Sequence, residues 1–341
     1  MKSAESERKN IRNKLLSGDY DFQELVFRIF HYQYHQNQLY QIFCRNLKRT
    51  PEGVRDQADI PFLPVRFFKS HAVKAGDFEP EIVFRSSGTT TSGRSQHLVR
   101  DAELYRKVST SIFERIYGPL NDYKLLALLP SYLEQGDSSL VHMIKSFIDQ
   151  TQDTASGFYR SDFDALETDL EYSLQSSKKI ILWGVTYALM DLAGKYTEGN
   201  GSRKVSMDNR LIVVETGGMK GRRAELLRSE VHEVLKSGFG VSAVHSEYGM
   251  TEMLSQAYSQ GEGIFEMGQT MKILAYDAQD PLTHVGDGVT GRCHVIDLAN
   301  MDSCSFIATD DICRTEGRSF EILGRLDHSD IRGCNLLYQE S

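Results

Sequence analysis

Cysteine is scarce: Cys44, Cys293, Cys304, Cys313 and Cys334 are the five in 341 residues, odd in number and without CxxC spacing. That excludes a disulfide framework and a thiolate zinc cluster as expectations and makes a reducing cytoplasm the default compartment. Proline is also sparse, at seven, and no low-complexity linker or internal repeat interrupts the chain. No run approaches the ~18 consecutive apolar residues of a membrane span, and Met1 to Lys14, mixed in charge, does not resemble a signal peptide. Positive charge is outnumbered, 39 Lys and Arg against 47 Asp and Glu, for a net charge of −8. With a pI near 5.7 and no basic stretch, nucleic acid is not an expected partner. An anionic substrate would therefore need a local positive site. What is present is ordinary for a soluble globular chain, 40% hydrophobic and 25% charged, and long enough for two or three subdomains.

The stretch from Phe84 to His97 stands out, with seven hydroxyl residues and two glycines in fourteen, flanked by Arg85 and Arg94. Small donors of this kind suit a loop that wraps phosphate oxygens. Gly88 to Ser95 is one substitution from a Walker A loop, with arginine at position 94 in place of lysine. A Walker loop runs straight into a helix, whereas here Gln96 to Arg100 reads as a short strand and the helix begins only at Asp101, an N-cap candidate. Leu104, Val108, Ile112 and Ile116 then mark its apolar face. The loop is expected to join two strands, 81–86 and 95–100.

Upstream, 20–47 reads as helices, with His31 and His35 on wet faces, and the two prolines in 60–69 predict an extended segment laid over the body. Downstream, strands are expected at 124–129, 179–183, 210–215 and 241–245, alternating with helices at 138–149, 186–195 and 222–236, and 196–209 is the expected exposed loop. This alternation indicates a doubly wound, mainly parallel α/β sheet, in which ligands gather at the carboxyl ends of strands. Two glycine-marked polar segments, Glu215 to Lys220 and Ser246 to Glu252, fall at such ends. From 261 onward, short strands at 264–276, 291–298, 305–311 and 319–323 indicate a small β-rich subdomain. The expected domains are 1–78, helical and extended; 79–260, the α/β nucleotide- and acyl-binding body; and 261–341, β-rich with a C-terminal tail.

Ser86-Ser-Gly-Thr-Thr90 resembles the phosphate loop of the adenylate-forming enzymes, and Tyr248-Gly-Met-Thr-Glu252 resembles their Tyr-Gly-x-Thr-Glu motif. The resemblance implies that Tyr248 lines the adenine pocket, Thr251 contacts the α-phosphate and Glu252 ligates Mg2+. Thr309-Asp-Asp311 is similar to the Thr-Gly-Asp element, with Asp311 on the ribose and Asp310 in place of the usual glycine. Gly324-Arg-Leu-Asp327 resembles the hinge element, which would let Arg325 reach the nucleotide. Ser86, Ser87, Gly88, Thr89, Thr90, Thr91, Gly93, Arg94, Gly217, Gly218, Glu247, Tyr248, Gly249, Asp311 and Arg325 are the implied ATP contacts.

The proline segment with Phe68-Lys69, Glu215-Thr-Gly-Gly-x-Lys220, Glu247 to Glu252 and the ending Ile331-Arg-Gly-Cys334 together resemble the LuxE-type acyl-protein synthetases across nearly the whole chain. That implies a fold like the N-terminal domain of adenylate-forming enzymes, without the mobile C-terminal domain and its lysine. The implied activity uses ATP and Mg2+ to convert a carboxylic acid, a long-chain fatty acid above all, into an acyl-adenylate, and then passes the acyl group to Cys334. Arg332 would lower the Cys334 pKa, and an acyl reductase or acyltransferase would be the protein partner. Lys220, or less favourably Arg222 or Arg223, would supply the missing cation; the alternative is a solvated lysine at a helix entry. His142 either lines the acyl pocket or is structural. Two other functions fit the motifs: an acid:coenzyme A ligase resembling phenylacetate ligases, and a nucleotide- or acyl-binding subunit without catalysis.

Overall fold

The computed structural model describes residues 3–87, 93–130, 136–198, 209–217 and 226–326. The chain opens with helices α1 (Ala4–Ser17), α2 (Phe22–Gln36) and α3 (Gln38–Asn46), each capped from the sequence: Ser3, Asp21 and Asn37 accept from the first-turn amides. Strand β1 (Leu63–Pro64) and the single-turn α4 (Phe67–Ser70) follow, then the hairpin β2 (Ile82–Arg85) and β3 (Gln96–Val99). Helix α5 (Ala102–Tyr117) starts on Asp101, whose carboxylate accepts from Leu104 N at 2.8 Å, and buries Leu104, Val108 and Ile112. The next elements are β4 (Tyr123–Leu128), α6 (Ser139–Thr151), β5 (Gly157–Tyr159), α7 (Phe163–Leu174), β6 (Lys179–Val185), α8 (Thr186–Glu198), β7 (Leu211–Thr216), α9 (Arg228–Phe239) and β8 (His245–Tyr248). Six strands complete the chain: β9 (Ala257–Ser259), β10 (Ile264–Glu266), β11 (Met271–Tyr276), β12 (Thr290–Asp297), β13 (Phe306–Glu316) and β14 (Ser319–Arg325).

One hydrogen-bonded ladder runs β11-β12-β13-β14-β10-β9-β8-β7-β6-β4-β5. From β8 to β5 every pair is parallel, as the alternation of strands and helices requires; from β8 through β9 to β11 every pair is antiparallel. The middle of the parallel half is apolar on both faces, and β4 is buried along its whole length. An aromatic nucleus, Phe113, Phe147, Trp183 and Tyr258, packs α5 and α6 onto it with ring centroids 5.1–6.4 Å apart. The proline segment lies over the antiparallel half as expected: Leu63 and Pro64 pair with Ile307 and Ala308 in parallel register. Its last three residues depart from the extended reading, because beyond Pro64 nothing prevents Phe67–Ser70 from closing one helical turn.

The expected hairpin around the hydroxyl-rich loop is present, with Arg85 opposite Gln96. Three other expectations are corrected. The strand read at 241–245 lies at His245–Tyr248, because its buried residues Ser246, Glu247 and Tyr248 carry polar groups that apolar patterning does not detect. Helix α9 begins at Arg228 instead of 222: Glu230 accepts from the Leu227 amide at 2.8 Å and caps the end there. Helix α8 continues through 196–198, part of the stretch read as a loop. β5 and α7 carried no expectation, since three residues are too few to show a period and β5 exists only by pairing with β4.

The first helix is fastened by charge. Arg8 forks onto Asp302, both N···O distances being 2.6 Å, and both side chains are about nine-tenths buried. Removing one partner of a buried pair leaves the other charge desolvated, at a typical cost of about 3–5 kcal/mol. Arg8→Ala is expected to lower unfolding stability by about 3 kcal/mol, measured by urea titration, whereas Lys9→Ala, on the exposed face, should leave the midpoint unchanged.

Candidate active site

Asp311 is the point where the two halves of the sheet meet chemically. Its carboxylate accepts from the Tyr248 hydroxyl at 2.8 Å and from Arg325 Nε at 2.7 Å, while its amide donates to Thr309 Oγ1. Tyr248 ends the parallel half; Asp311 and Arg325 are cross-strand partners in the antiparallel half. The register that sets Arg325 opposite Asp311 comes from a bulge. Ile312 faces Gly324 and Cys313 faces Ile322, leaving Leu323 as the extra residue, and Gly324 takes φ +152°, open to glycine. A carboxylate has about four acceptor positions, so two remain for ligand hydroxyls. Asp310, the departure from the glycine of the resembling motif, points away to Arg292 at 2.6 Å.

Two acids occupy the adjacent ends of β7 and β8. Glu215 accepts from Thr186 Oγ1 at 2.7 Å and lies near Arg228 and His232; Glu247 is bonded by Thr216 Oγ1. Burial opposes ionisation of both. For Glu215 the surrounding His232, Arg228, Ser246 and Thr186 win and hold the carboxyl below its usual range. For Glu247 burial wins, with the Glu215 charge adding to it against the single Thr216 hydrogen bond, and the carboxyl is pushed up to about 7. Gly217 leaves β7 with φ +77°. Gly249 is needed for space, because a Cβ there would run into Glu247 Oε1.

The arm leaving the hydroxyl-rich loop grips the Tyr-Gly-x-Thr-Glu turn. Ser95, which immediately precedes β3, and His97 on it are two apart and both buried. His97 Nδ1 lies 2.9 Å from the Thr251 carbonyl, and the Ser95 side chain lies beside the Glu252 carboxylate, favouring its ionised form. Burial lowers the His97 pKa to about 4, so the ring is neutral and its Nδ1 must carry the proton that reaches the carbonyl. Asn300 Nδ2 holds the Glu252 carbonyl at 2.7 Å. The Glu252 carboxyl is raised by burial, against the hydrogen bonds from Ser95 and the backbone and the charges of Arg325 and Lys69. At the loop's stem, Ser86 Oγ accepts from Ser95 N at 3.0 Å, and Arg94 binds Asp137 at 2.8 Å and the Ser86 carbonyl. Arg85 reaches the same Asp137 at 3.4 Å. Gly93 takes φ +86°.

Tyr248, Asp311 and Arg325 thus form one hydrogen-bonded group, and Thr251 and Glu252, braced by the arm that leaves the Ser86–Ser95 stem, form a second, with the Arg325 charge felt at Glu252. Gly88, Thr89, Thr90, Thr91, Gly218, Lys220, Arg222, Arg223, Asp327, Arg332 and Cys334 lie outside the described residues. Ser87 and Gly217 border that gap. His31 and His35 are exposed on α2, and His142 packs between Phe84 and Tyr105. Sequence reasoning passed over Asp137, His97, Thr186, Thr216 and Asn300; only the i, i+2 spacing of Ser95 and His97 along a strand carried a readable signal.

In 2-hydroxyisobutyryl-CoA ligase the same fold appears. Its open conformation in complex with 2-HIB-AMP and CoA superposes with TM-score 0.64 at 11% identity, over 89% of this chain and 69% of that one. The thioesterification state of that ligase gives 0.63 at 14% identity, over 96% and 70%. The architecture is thus the fold of that CoA ligase. A family model described as acyl-protein synthetase, LuxE, matches residues 135–341. A long-chain-fatty-acid–luciferin-component ligase of Vibrio harveyi is 26% identical over 97% of this chain and 88% of its own length. The chain belongs to the LuxE family of acyl-protein synthetases and is an ATP-dependent acyl ligase.

Two outcomes follow from the buried groups. Because the folded Glu247 pKa stands near 7, above the usual carboxyl range, its protonated form favours the fold below about pH 4.5 and that contribution fades as pH rises through 7. Wild type should therefore lose stability relative to Glu247→Gln between pH 5 and 8, by up to about 3 kcal/mol, in denaturant melts. For His97, Asn retains an N–H for the Thr251 carbonyl and Leu does not. His97→Leu should reduce acyl-adenylate formation about tenfold or more and, by leaving the Thr251 carbonyl unpaired, cost about 1–3 kcal/mol of stability, and His97→Asn should restore most of both, read by adenylation assay and denaturant melts.

Proposed function

We propose that this chain joins ATP to a long-chain fatty acid as an acyl-adenylate and then carries the acyl group on Cys334 as a thioester. The observation that supports this reading is the bracing of the Thr251–Glu252 turn by His97, from the arm that leaves the hydroxyl-rich loop, with the Tyr248–Asp311–Arg325 group at the end of the same strand. Two anions must approach for the carboxylate oxygen to attack the α-phosphorus and for pyrophosphate to leave. Fixed donors and cations make that approach feasible. Ser86, Ser87, Gly88, Thr89, Thr90, Thr91 and Gly93 would wrap the phosphates with hydroxyls and amides, while Arg94, tied to Asp137, would keep the loop's two arms together. Tyr248 would face the adenine, Asp311 would use its remaining lone pairs on the ribose, and Arg325 would hold Asp311 in place. Gly217, Gly218 and Gly249 would let backbone approach the nucleotide, and Glu247, protonated near neutrality, would sit against the substrate without repelling it.

Glu252 fits a magnesium ligand: a single buried carboxylate oriented by Ser95, whose burial cost a cation would offset. When bound there, Mg2+ would supply charge neutralisation at the phosphates. Thr251 would hold the α-phosphate through its hydroxyl, its own carbonyl being fixed by His97. Lys220 would add a cation beyond the Gly217-Gly218 turn. In the second step the Cys334 thiolate would attack the acyl carbonyl and release AMP, with Arg332 favouring the thiolate. An acyl reductase would then receive the acyl group from the protein. Among the described residues no helix is long and apolar enough to cross a membrane.

Intact-mass spectrometry after incubation with ATP, magnesium and mixed fatty acids tests this reading. Hydroxylamine-labile addition of one acyl mass is expected in the wild type and no addition in Cys334→Ser. Acyl-CoA formation from free coenzyme A with an unmodified Cys334 would support the acid:coenzyme A ligase reading instead, and absence of both products would leave a binding subunit.

A further inference from the structure

We propose that Lys69 is a catalytic cation of this site, binding the pyrophosphate-side oxygens of the nucleotide while the carboxylate attacks; this rests on the adenylation reading above.

The position of Lys69 follows from its neighbours. The single-turn helix α4 is pinned to β3 by Phe68, which is buried with its ring edge-on to His97 at 5.8 Å. His97 is in turn bonded to the Thr251 carbonyl, so α4, β3 and the Thr251–Glu252 turn form one stack. The next residue along α4, Lys69, is exposed, and its carbonyl lies 4.0 Å from where a Cβ on Gly93 would stand. Gly93 is the first described residue after the hydroxyl-rich segment 88–92. The backbone that carries Lys69 is thus at the exit of that loop.

Charge accounting separates Lys69 from the other cations. Arg85 and Arg94 are paired with Asp137, Arg325 with Asp311, and Arg228 with Glu215. Among the described residues the Lys69 ammonium makes no hydrogen bond or close ion pair. An exposed ammonium without such a partner among the described residues, on the backbone that touches Gly93, suits an anion with several negative oxygens. No bond to Lys69 forms or breaks: the carboxylate–phosphorus bond forms, the bond to pyrophosphate breaks, and the ammonium donates hydrogen bonds to the departing oxygens.

Three variants in the full chain test this. Lys69→Met should lower fatty-acid-dependent ATP–pyrophosphate exchange at least tenfold and raise the apparent pyrophosphate KM. Lys69→Arg should stay within about threefold of wild type, and both should melt at the wild-type temperature because the side chain is exposed. Acylation of the protein from synthetic acyl-adenylate, which needs no pyrophosphate, should be unchanged in Lys69→Met. Wild-type exchange rates in Lys69→Met, or an equal loss in the acyl-adenylate half-reaction, would overturn the role of Lys69 and leave the adenylation reading intact. Lys220→Ala, run in parallel, shows whether the two cations contribute separately. A wild-type protein with neither exchange nor acylation would instead remove the reading on which this proposal rests.

Discussion

Everything near the site depends on how one carboxylate is shared. Asp311 lies between a tyrosine from the parallel half of the sheet and an arginine from the antiparallel half, and both of its oxygens are engaged. Because Tyr248 and Arg325 approach from different strands, the carboxylate fixes the angle at which the two halves present their loops. The bulge at Leu323 is part of the same constraint. Removing that extra residue would turn Arg325 to the opposite face and leave Asp311 buried with one donor.

A second constraint is burial. The polar groups at the ends of β7 and β8 and on β3 are withdrawn from water, so each must find a partner inside the protein. His97, Ser95, Thr186, Thr216 and Asn300 provide those partners, and in doing so they link four separate stretches of chain. The same low exposure splits two neighbouring acids. Glu215, ringed by donors, stays ionised; Glu247, with one donor, keeps its proton up to about 7. A fold of this kind pairs fixed charges where orientation matters and keeps neutral a position where a second negative charge would repel an anionic substrate.

The LuxE family gives the chain its chemical context, that of an acyl-protein synthetase, and the proposed site brings hydroxyls, acids and a few committed arginines to it. The arginines hold the walls together, Arg94 closing the loop's stem on Asp137 and Arg325 anchoring Asp311. Residues with mobile charge, such as Lys69, are then the ones left to follow an anion that changes during the reaction.

Local chemistry was enough to read much of this from the amino acids alone. Apolar period identified β4, β6 and β7 with their helices, Asp101 announced the start of α5, and the gap between Ser95 and Asp101 argued for a hairpin around the hydroxyl-rich loop, because these signals lie within a few residues of the structures they produce. The Tyr-Gly-x-Thr-Glu turn and the Thr-Asp-Asp and Gly-Arg elements were equally legible as short motifs. Only the folded chain decided which of those motifs touch. That Tyr248 meets Asp311, that His97 supports Thr251, and that the strand at 245–248 is built from polar residues all depend on partners between 29 and 154 positions away or on cross-strand register. Polar groups in a buried strand gain their meaning from the atom opposite, and nothing in the neighbouring sequence specifies that atom.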